Sequence, residues 1–191
     1  MRIFLSTLTL VLALLCPNAF AITPVFDLNV FYFTDNMTYT TASAYKRTFY
    51  DFMIGMPVTK KKQFIVGWNY DSMAWSDNPS VETSLTVTDM GPKFVYYFDK
   101  DREWVAAFTY NLITKGTYTA AGAAATELRG SSMRFEAGYT PLMWTNVLIG
   151  AKIVWYKGAF KEEITSNTSL AQVSYDRTVI YPAFAITVRW D

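Results

Sequence analysis

The sequence alternates between apolar and polar residues with a period of two. In residues 131–140, SSMRFEAGYT, Met133 and Phe135 fall on one parity while Arg134 and Glu136 fall on the other. Successive side chains of a β-strand point to opposite faces, so this segment is predicted to be a strand with one apolar and one charged face. The segments that share this pattern are 26–32, 50–56, 64–71, 94–98, 104–112, 131–140, 147–155 and 183–190.

The connections between these segments differ in length. Three are short, PVTKKK, DKDRE and TPLMWT. Four are longer and rich in small polar residues, and we predict them to be loops: 34–43, 76–84, 114–129 and 157–172. Short turns at one end and long loops at the other are typical of outer-membrane barrels. The sequence therefore predicts an all-β fold, an eight-stranded antiparallel up-and-down transmembrane β-barrel.

The apolar parity is predicted to face outward. It carries about eighteen aromatic rings, whereas an eight-stranded barrel is only just wide enough inside to be filled by side chains. The opposite parity carries many glycines and alanines, which suit a crowded interior. Charged residues make up only 17% of the chain, against about 25% in soluble domains. The alternative is a secreted lipocalin-like barrel or a β-sandwich with the apolar face buried.

The inward face is predicted to hold an interlocked set of charges, because buried charges are tolerated when they are paired and hydrogen-bonded. Five are negative and five positive, so the set is expected to balance and to plug the lumen. An ion path or gate is the alternative. The predicted lumen charge network consists of Asp27, Arg47, Asp51, Asp71, Asp89, Lys93, Arg134, Glu136, Lys152 and Arg189.

Tyrosine and tryptophan lie mainly near the ends of the predicted strands. Amphipathic rings at these positions form the aromatic girdles at the two interfaces of a membrane barrel. The predicted interface aromatics are Tyr32, Tyr50, Tyr70, Trp104, Tyr110, Tyr139, Trp155 and Trp190.

The N-terminus has the layout of a secretory signal peptide. Arg2 precedes an apolar run, and Ala19-Phe20-Ala21 forms a small-x-small cleavage site. We predict that residues 1–21 are removed and that residues 22–191 form the barrel domain, exported to the outer membrane of a Gram-negative cell. The single cysteine, Cys16, lies in the predicted signal segment.

The composition argues against enzymatic chemistry. The chain has no histidine, so the usual nucleophile–base pairs are missing. Glu162 and Glu163 are the nearest candidates for a paired-carboxylate site, but adjacent strand residues point to opposite faces. No metal-ligand spacing or phosphate-binding loop occurs, and a net charge of +1 gives no reason to expect nucleic acid binding. We predict no catalytic residues, no metal and no cofactor.

Two prolines, Pro92 and Pro182, interrupt predicted strands. Proline cannot donate to the ladder, and a closed barrel has no free edge to receive it. One interpretation is a local bulge near a rim. The other is a weakened seam through which an apolar solute passes sideways.

Across the predicted mature chain, this pattern resembles the small eight-stranded outer-membrane barrels of the OmpA transmembrane-domain and OmpX type, with OmpW-like barrels as the runner-up. The last segment, FAITVRWD, has the alternating residues and the terminal aromatic Trp190 that the barrel-assembly machinery recognises in that group, although Asp191 follows it. The resemblance implies a monomeric, non-enzymatic barrel with a structural or surface-interaction role. Its expected partners are outer-membrane lipids, lipopolysaccharide, the assembly machinery and an unidentified surface ligand. The alternative function is a narrow, porin-like transporter for small or apolar solutes.

Overall fold

The structure is a computed structural model that describes residues 23–38, 42–78, 82–165 and 169–190. The predicted signal peptide, residues 1–21, and Asp191 lie outside the described residues. Among the described residues there is no helix that could cross a membrane.

The described residues form one antiparallel sheet closed into a ring. The strands of the described residues are β1 Val25–Thr38, β2 Ala42–Pro57, β3 Phe64–Asn78, β4 Thr83–Tyr97, β5 Trp104–Ala120, β6 Thr126–Tyr139, β7 Leu142–Trp144, β8 Val147–Thr165 and β9 Ser169–Arg189. The eight long strands pair with their neighbours in the order β1-β2-β3-β4-β5-β6-β8-β9, and β9 returns to β1. The eight-stranded barrel that the sequence predicts is therefore confirmed.

A ninth, three-residue strand lies in one of the predicted short turns. This strand, β7, pairs with the start of β8 and leaves Leu142, Met143 and Trp144 largely exposed. It extends the turn between β6 and β8 without entering the ring. We call the end of the barrel that holds this turn, together with residues 23 and 190, the terminal end, and the opposite end the distal end.

The four predicted long loops are wrong in extent. The strands continue through most of these segments, so that the β5–β6 connection comprises only residues 121–125. The tips of the other three, residues 39–41, 79–81 and 166–168, lie outside the described residues. The physical reason is that threonine-rich segments favour the extended conformation, and at 14 to 21 residues the long strands exceed the roughly 9–11 needed to cross a bilayer.

The two prolines have different effects. The β4–β5 register shifts between Met90 and Lys93, beside Pro92, while the β3–β4 register runs through Pro92 unbroken. This bulge lies in the middle of the strand, so the predicted position near a rim is wrong. At Pro182 the β8–β9 register is continuous, and the predicted bulge does not form there.

Side-chain polarity reverses halfway along the barrel. Asn29, Asp51, Asp71 and Asp89 are cross-strand neighbours in one row, and we use this row to divide a terminal half from a distal half. The outward face of the terminal half carries exposed apolar side chains such as Ile54. The predicted outward orientation of the aromatic face is thus correct for the terminal half.

In the distal half the outward face is polar and the inward face is apolar. The outward Lys46, Thr86 and Thr117 are exposed, whereas the inward Trp75 and Val87 are buried. The distal lumen is filled by an apolar cluster, which we call the distal cluster: Phe49, Met73, Trp75, Leu85, Val87, Leu128, Val154, Tyr156, Phe160, Tyr181 and Ala183. A smaller apolar cluster closes the terminal end around Val25, Met53, Ile65, Val95, Tyr97, Val105 and Ala107.

Candidate functional site

The lumen between the two apolar clusters holds connected buried charges, which we call the lumen network. Lys93 lies at its centre. Its Nζ is 2.7 Å from Glu136 Oε1, 3.0 Å from Asp51 Oδ1 and 3.2 Å from Asp27 Oδ2. One ammonium group therefore bridges carboxylates from three strands, and none of these side chains is more than 4% exposed.

Two further cations complete the ion pairs. The Arg134 guanidinium contacts the carboxylates of Asp51 and Asp71, and its Nε lies 3.2 Å from Glu136 Oε1. Lys152 Nζ lies 2.8 Å from Asp27 Oδ2 and 3.4 Å from Glu136 Oε2. The side chains of β1, β2, β3, β4, β6 and β8 are thereby joined across the lumen.

Amides and hydroxyls occupy lone pairs that the cations leave open. Asn29 donates to Asp51 Oδ1 at 2.9 Å and to Asp27 Oδ2 at 3.1 Å, and Thr187 donates to Asp27 Oδ1 at 2.6 Å. On the other side, Asn69 and Asn111 donate to the two oxygens of Asp71 at 2.7 and 3.1 Å. These bonds are what a buried set of charges needs in order to be tolerated.

A glycine makes room for one of the lysines. Gly138 pairs with Lys152 in the β6–β8 ladder. A Cβ atom at Gly138 would lie 2.7 Å from the Cα and 2.8 Å from the Cγ of Lys152. Such distances are far below ordinary contact, so the stem of Lys152 lies in the space that glycine leaves.

The charges of this layer do not balance. The lumen network and the adjoining Asp89 contain five carboxylates, Asp27, Asp51, Asp71, Asp89 and Glu136, and three cations, Lys93, Arg134 and Lys152. The fully buried Asp89 faces Asp71 across the ladder. The hydroxyl groups of Thr114, Ser132 and Tyr156 lie against its carboxylate, and it forms no ion pair among the described residues. The expectation of five charges of each sign is therefore wrong.

Two predicted members, Arg47 and Arg189, lie away from the lumen network. Arg47 is in the distal half, where it forms an ion pair with Asp77. Arg189 is at the terminal end, where Nη1 and Nη2 donate to the backbone carbonyls of Arg102 and Asp101 at 2.9 and 3.0 Å. Both side chains have the predicted parity. Parity predicts which face of the strand a side chain is on, but it does not predict how far along the barrel the side chain lies.

The predicted interface aromatics all project outward from the strands, at two heights. Trp104 and Tyr139 pair across β5 and β6 at the terminal end, with ring centroids 4.8 Å apart, and Trp190 follows β9 there. The other five, Tyr32, Tyr50, Tyr70, Tyr110 and Trp155, lie near the level where outward polarity reverses. Of these side chains, Tyr32 is 60% exposed, whereas Tyr70 and Trp155 are partly buried.

The ladder between β1 and β9 is the shortest of those that close the ring. It runs from Val25↔Arg189 to Val30↔Phe184 and ends there, although both strands continue into the distal half. Pro182, which has no backbone N–H, lies two residues beyond the last paired residue of β9. Past this point the two strands meet through side chains, with the rings of Phe31 and Tyr181 5.4 Å apart.

The distal cluster and the cavity above it are not predicted from the sequence. A cavity of about 390 Å³ opens at the distal end, over Leu85, Leu128 and Phe160. The sequence carries a signal for the distal cluster, because on the distal side of the charged row the apolar residues take the same parity as the charged residues. Met73 and Trp75 share the parity of Asp71, and Val87 and Leu85 share that of Asp89.

The candidate paired carboxylates do not act together. Glu163 accepts hydrogen bonds from the hydroxyls of Tyr175 and Thr165 at 3.0 and 3.2 Å, whereas Glu162 pairs in register with Arg129 and Gln172. Within the described ranges, no group of three or more acidic, histidine or cysteine side chains could hold a metal ion.

An apolar belt outside and paired charges inside define a β-barrel of the transmembrane class. The solved structures to which the chain is similar include those of two outer-membrane proteins. One is the crystal structure of Neisserial surface protein A, NspA, with a TM-score of 0.49 and 10% identity over 88% of this chain and 97% of that chain. The other is OmpT, an outer membrane protein of Vibrio cholerae, in vitro folded and in trimer form, with a TM-score of 0.30 and 9% identity over 90% of this chain and 53% of that chain.

No protein-family model matches the chain, and no curated protein sequence matches it.

Proposed function

We propose that the protein is a closed, non-enzymatic barrel of a Gram-negative outer membrane, of the small eight-stranded kind that the OmpA transmembrane domain and OmpX represent. The observation that carries this proposal is the lumen network, which links side chains of six strands within a lumen that has little free width. A closed lumen favours a structural or surface-interaction role over diffusion.

In this proposal, the signal peptide directs export, the terminal end lies in the periplasm and the distal half stands on the cell surface. The apolar belt contacts outer-membrane lipid and lipopolysaccharide, and β9 is the strand offered to the barrel-assembly machinery. The barrel is a monomer. The surface structure consists of paired strands rather than long loops, which gives an unidentified surface ligand a rigid surface to bind. The absence of histidine from the sequence supports the non-enzymatic assignment.

The test is conductance in planar lipid bilayers. The unmodified protein should show no stable open level. Because apolar clusters fill the lumen on both sides of the network, an open variant must remove all three layers. Arg134→Ser/Glu136→Ser combined with Phe49→Ser and Met53→Ser does so and should conduct. A matched control is Arg129→Ser/Glu127→Ser, which removes an exposed pair with the same spacing on the same strand and should stay closed. Stable open levels in the unmodified protein, or equal behaviour of the fourfold variant and the control, contradict a closed lumen.

A second candidate function is sideways release of an apolar solute between β1 and β9. It is favoured by the ladder that ends at Val30↔Phe184 and by the rings of Phe31 and Tyr181 that fill the gap beyond it. Beside Pro92, the other proline considered for a seam, the β4–β5 ladder is interrupted only between Met90 and Lys93 and resumes on both sides, so the seam is assigned to Pro182 alone.

The seam can be tested with N-phenyl-1-naphthylamine entering vesicles that carry lipopolysaccharide. Uptake should be faster with the protein than without it, and Phe31→Ala should accelerate it further. Phe49→Ala is the control, because Phe49 belongs to the same aromatic group but lies on β2, which is paired on both sides. Uptake equal to that of protein-free vesicles rules the seam out.

A further inference from the structure

The distal end of the lumen contains a cavity of about 390 Å³, which falls within the range of small-molecule sites. Its wall comes from β4, β5, β6, β8 and β9. The cavity lies on the distal side of the lumen network, so a molecule could enter it from the distal end without disturbing any of the buried ion pairs.

The floor of the cavity is apolar. Leu85, Leu128 and Phe160 are buried and belong to the distal cluster. Tyr118 and Tyr175 line the cavity above them and remain 41% and 49% exposed. Apolar floors beneath aromatic walls are typical of sites that bind ring-containing molecules.

The charged groups at the rim already have partners. Glu163 accepts the hydroxyl hydrogen of Tyr175, Asp176 lies 3.5 Å from Lys157, and the Arg177 guanidinium lies over the ring of Trp75, 4.6 Å from its centroid. A charged ligand would compete with these partners and lose its own hydration. An uncharged ligand would not.

We propose that this cavity binds a small, uncharged molecule with an apolar ring body and one hydrogen-bonding group. The ring body lies on Leu85, Leu128 and Phe160 between the two tyrosines, and the polar group points to the rim. The site goes beyond the closed-barrel function and does not require passage through the seam. Its failure would leave the conductance test unaffected.

The experiment is protein-observed methyl NMR in lipid nanodiscs, with 2-naphthol as the probe. The methyl groups of Leu85 and Leu128 should shift and saturate as the probe is added. The methyl groups of Ile54 and Ile153, which are exposed on the apolar belt, report partition into lipid and should change without saturating at the same concentration. Leucine shifts that merely follow those of the belt residues overturn the proposal.

Substitutions define the site further. Leu128→Trp fills the cavity and should weaken binding by at least about tenfold. Thr117→Trp, which adds the same ring to the outward face at the same height of the β5–β6 pair, should leave binding unchanged. The spectra themselves show whether Leu128→Trp is folded. If it is not, Tyr118→Ala at the half-exposed wall replaces it and should weaken binding several-fold.

The charge of the ligand is tested with two analogues of the probe. Naphthalene-2-sulfonate and 2-naphthylmethylammonium should each bind about tenfold more weakly than 2-naphthol. Equal or tighter binding of either ion contradicts an uncharged ligand class.

Discussion

The terminal and distal halves of the barrel use the same backbone but opposite side-chain arrangements. In the terminal half, Lys93 and Glu136 are buried while Ile54 and Trp68 are exposed. In the distal half, Trp75 and Val87 are buried while polar side chains face outward. The first arrangement suits a barrel in lipid, and the second suits a barrel in water.

The difference shows that the surroundings, rather than the strand, decide which face is apolar. The reversal falls within single strands: on β3, outward Tyr70 is followed by Ser72 as inward Asp71 is followed by Met73. In the proposed membrane location, the level of this change marks the outer edge of the hydrocarbon layer. The following predictions test the two halves against each other.

The largest effect is expected from removing a charge in the terminal lumen. Glu136 is within 3.4 Å of Lys93, Arg134 and Lys152. Glu136→Ala leaves those cations under-paired and should lower the free energy of unfolding by about 3–5 kcal/mol. Glu127→Ala, on the same strand but exposed, should cost less than about 1 kcal/mol. Urea unfolding from lipid vesicles measures both, and equal midpoints would mean that Glu136 is solvated.

The terminal half is also the part of the structure that the sequence predicts well. Its apolar parity is continuous along strands such as Phe64, Val66, Trp68 and Tyr70, and the small interior of an eight-stranded barrel forces that face outward. Parity alone identifies which of its residues face the lumen. Parity does not identify their partners, because the contact of Lys93 with Asp27, Asp51 and Glu136 depends on register and on the stagger of the strands.

The distal half is predicted to be loops because the apolar residues switch to the other parity where this half begins. Met73 and Trp75 continue the inward parity of Asp71, so a search for one continuous apolar face ends at Tyr70. The same reversal explains the misplaced Arg47, which has an inward parity but lies beyond the charged layer. Bulges such as the one beside Pro92 add residues to one strand of a pair, and a single sequence does not show which strand receives them.

The second prediction introduces a charge on the outward face of each half. Phe108→Arg lies within the apolar belt of β5 and should cost about 2–4 kcal/mol of folding free energy in a bilayer. Thr117→Arg, on the outward face of the same strand in the distal half, should be within about 0.5 kcal/mol of the unmodified protein. Folding into lipid vesicles over a urea series gives both values. A similar cost at the two positions would place both in the same environment.

The third prediction exchanges a methyl group for a hydroxyl group, or the reverse, at one buried position in each half of the lumen. Val87→Thr puts a hydroxyl into the distal cluster and should lower stability by about 1–3 kcal/mol. Thr109→Val removes a buried hydroxyl that has no hydrogen-bond partner in the described structure, and should cost less than about 0.5 kcal/mol. The same urea series applies. If the two variants lose equal free energy of unfolding, the two halves of the lumen do not differ in how well they tolerate a buried hydroxyl group.

The fourth prediction concerns Asp89, at the boundary between the halves. Its carboxylate is buried and forms no ion pair among the described residues. Asp89→Asn removes a charge without an ion-pair partner and keeps the shape, so stability should stay the same or rise by up to about 1 kcal/mol. Asp51→Asn, which weakens contacts to Lys93 and Arg134, should lower it. A loss at Asp89 as large as that at Asp51 would show that Asp89 is a full member of the lumen network.

The smallest effect is expected outside both halves, in the turn between β4 and β5. Burial would raise the pKa of the Asp99 carboxyl, but the backbone N–H groups of Trp104 and Glu103 donate to it at 2.9 and 3.0 Å and lower the pKa below its usual value. A lowered pKa in the folded state means that the ionised carboxylate stabilises the turn. This contribution is fully present above the unfolded-state pKa of about 4 and is lost as the pH falls through the folded-state value.

Asp99→Ala should therefore be slightly less stable than the unmodified protein at pH 7, and the difference should shrink below about pH 4. Urea midpoints at the two pH values measure it. A difference that persists unchanged in acid would mean that the side chain acts through its shape, and that the charge on Asp99 is irrelevant to the turn.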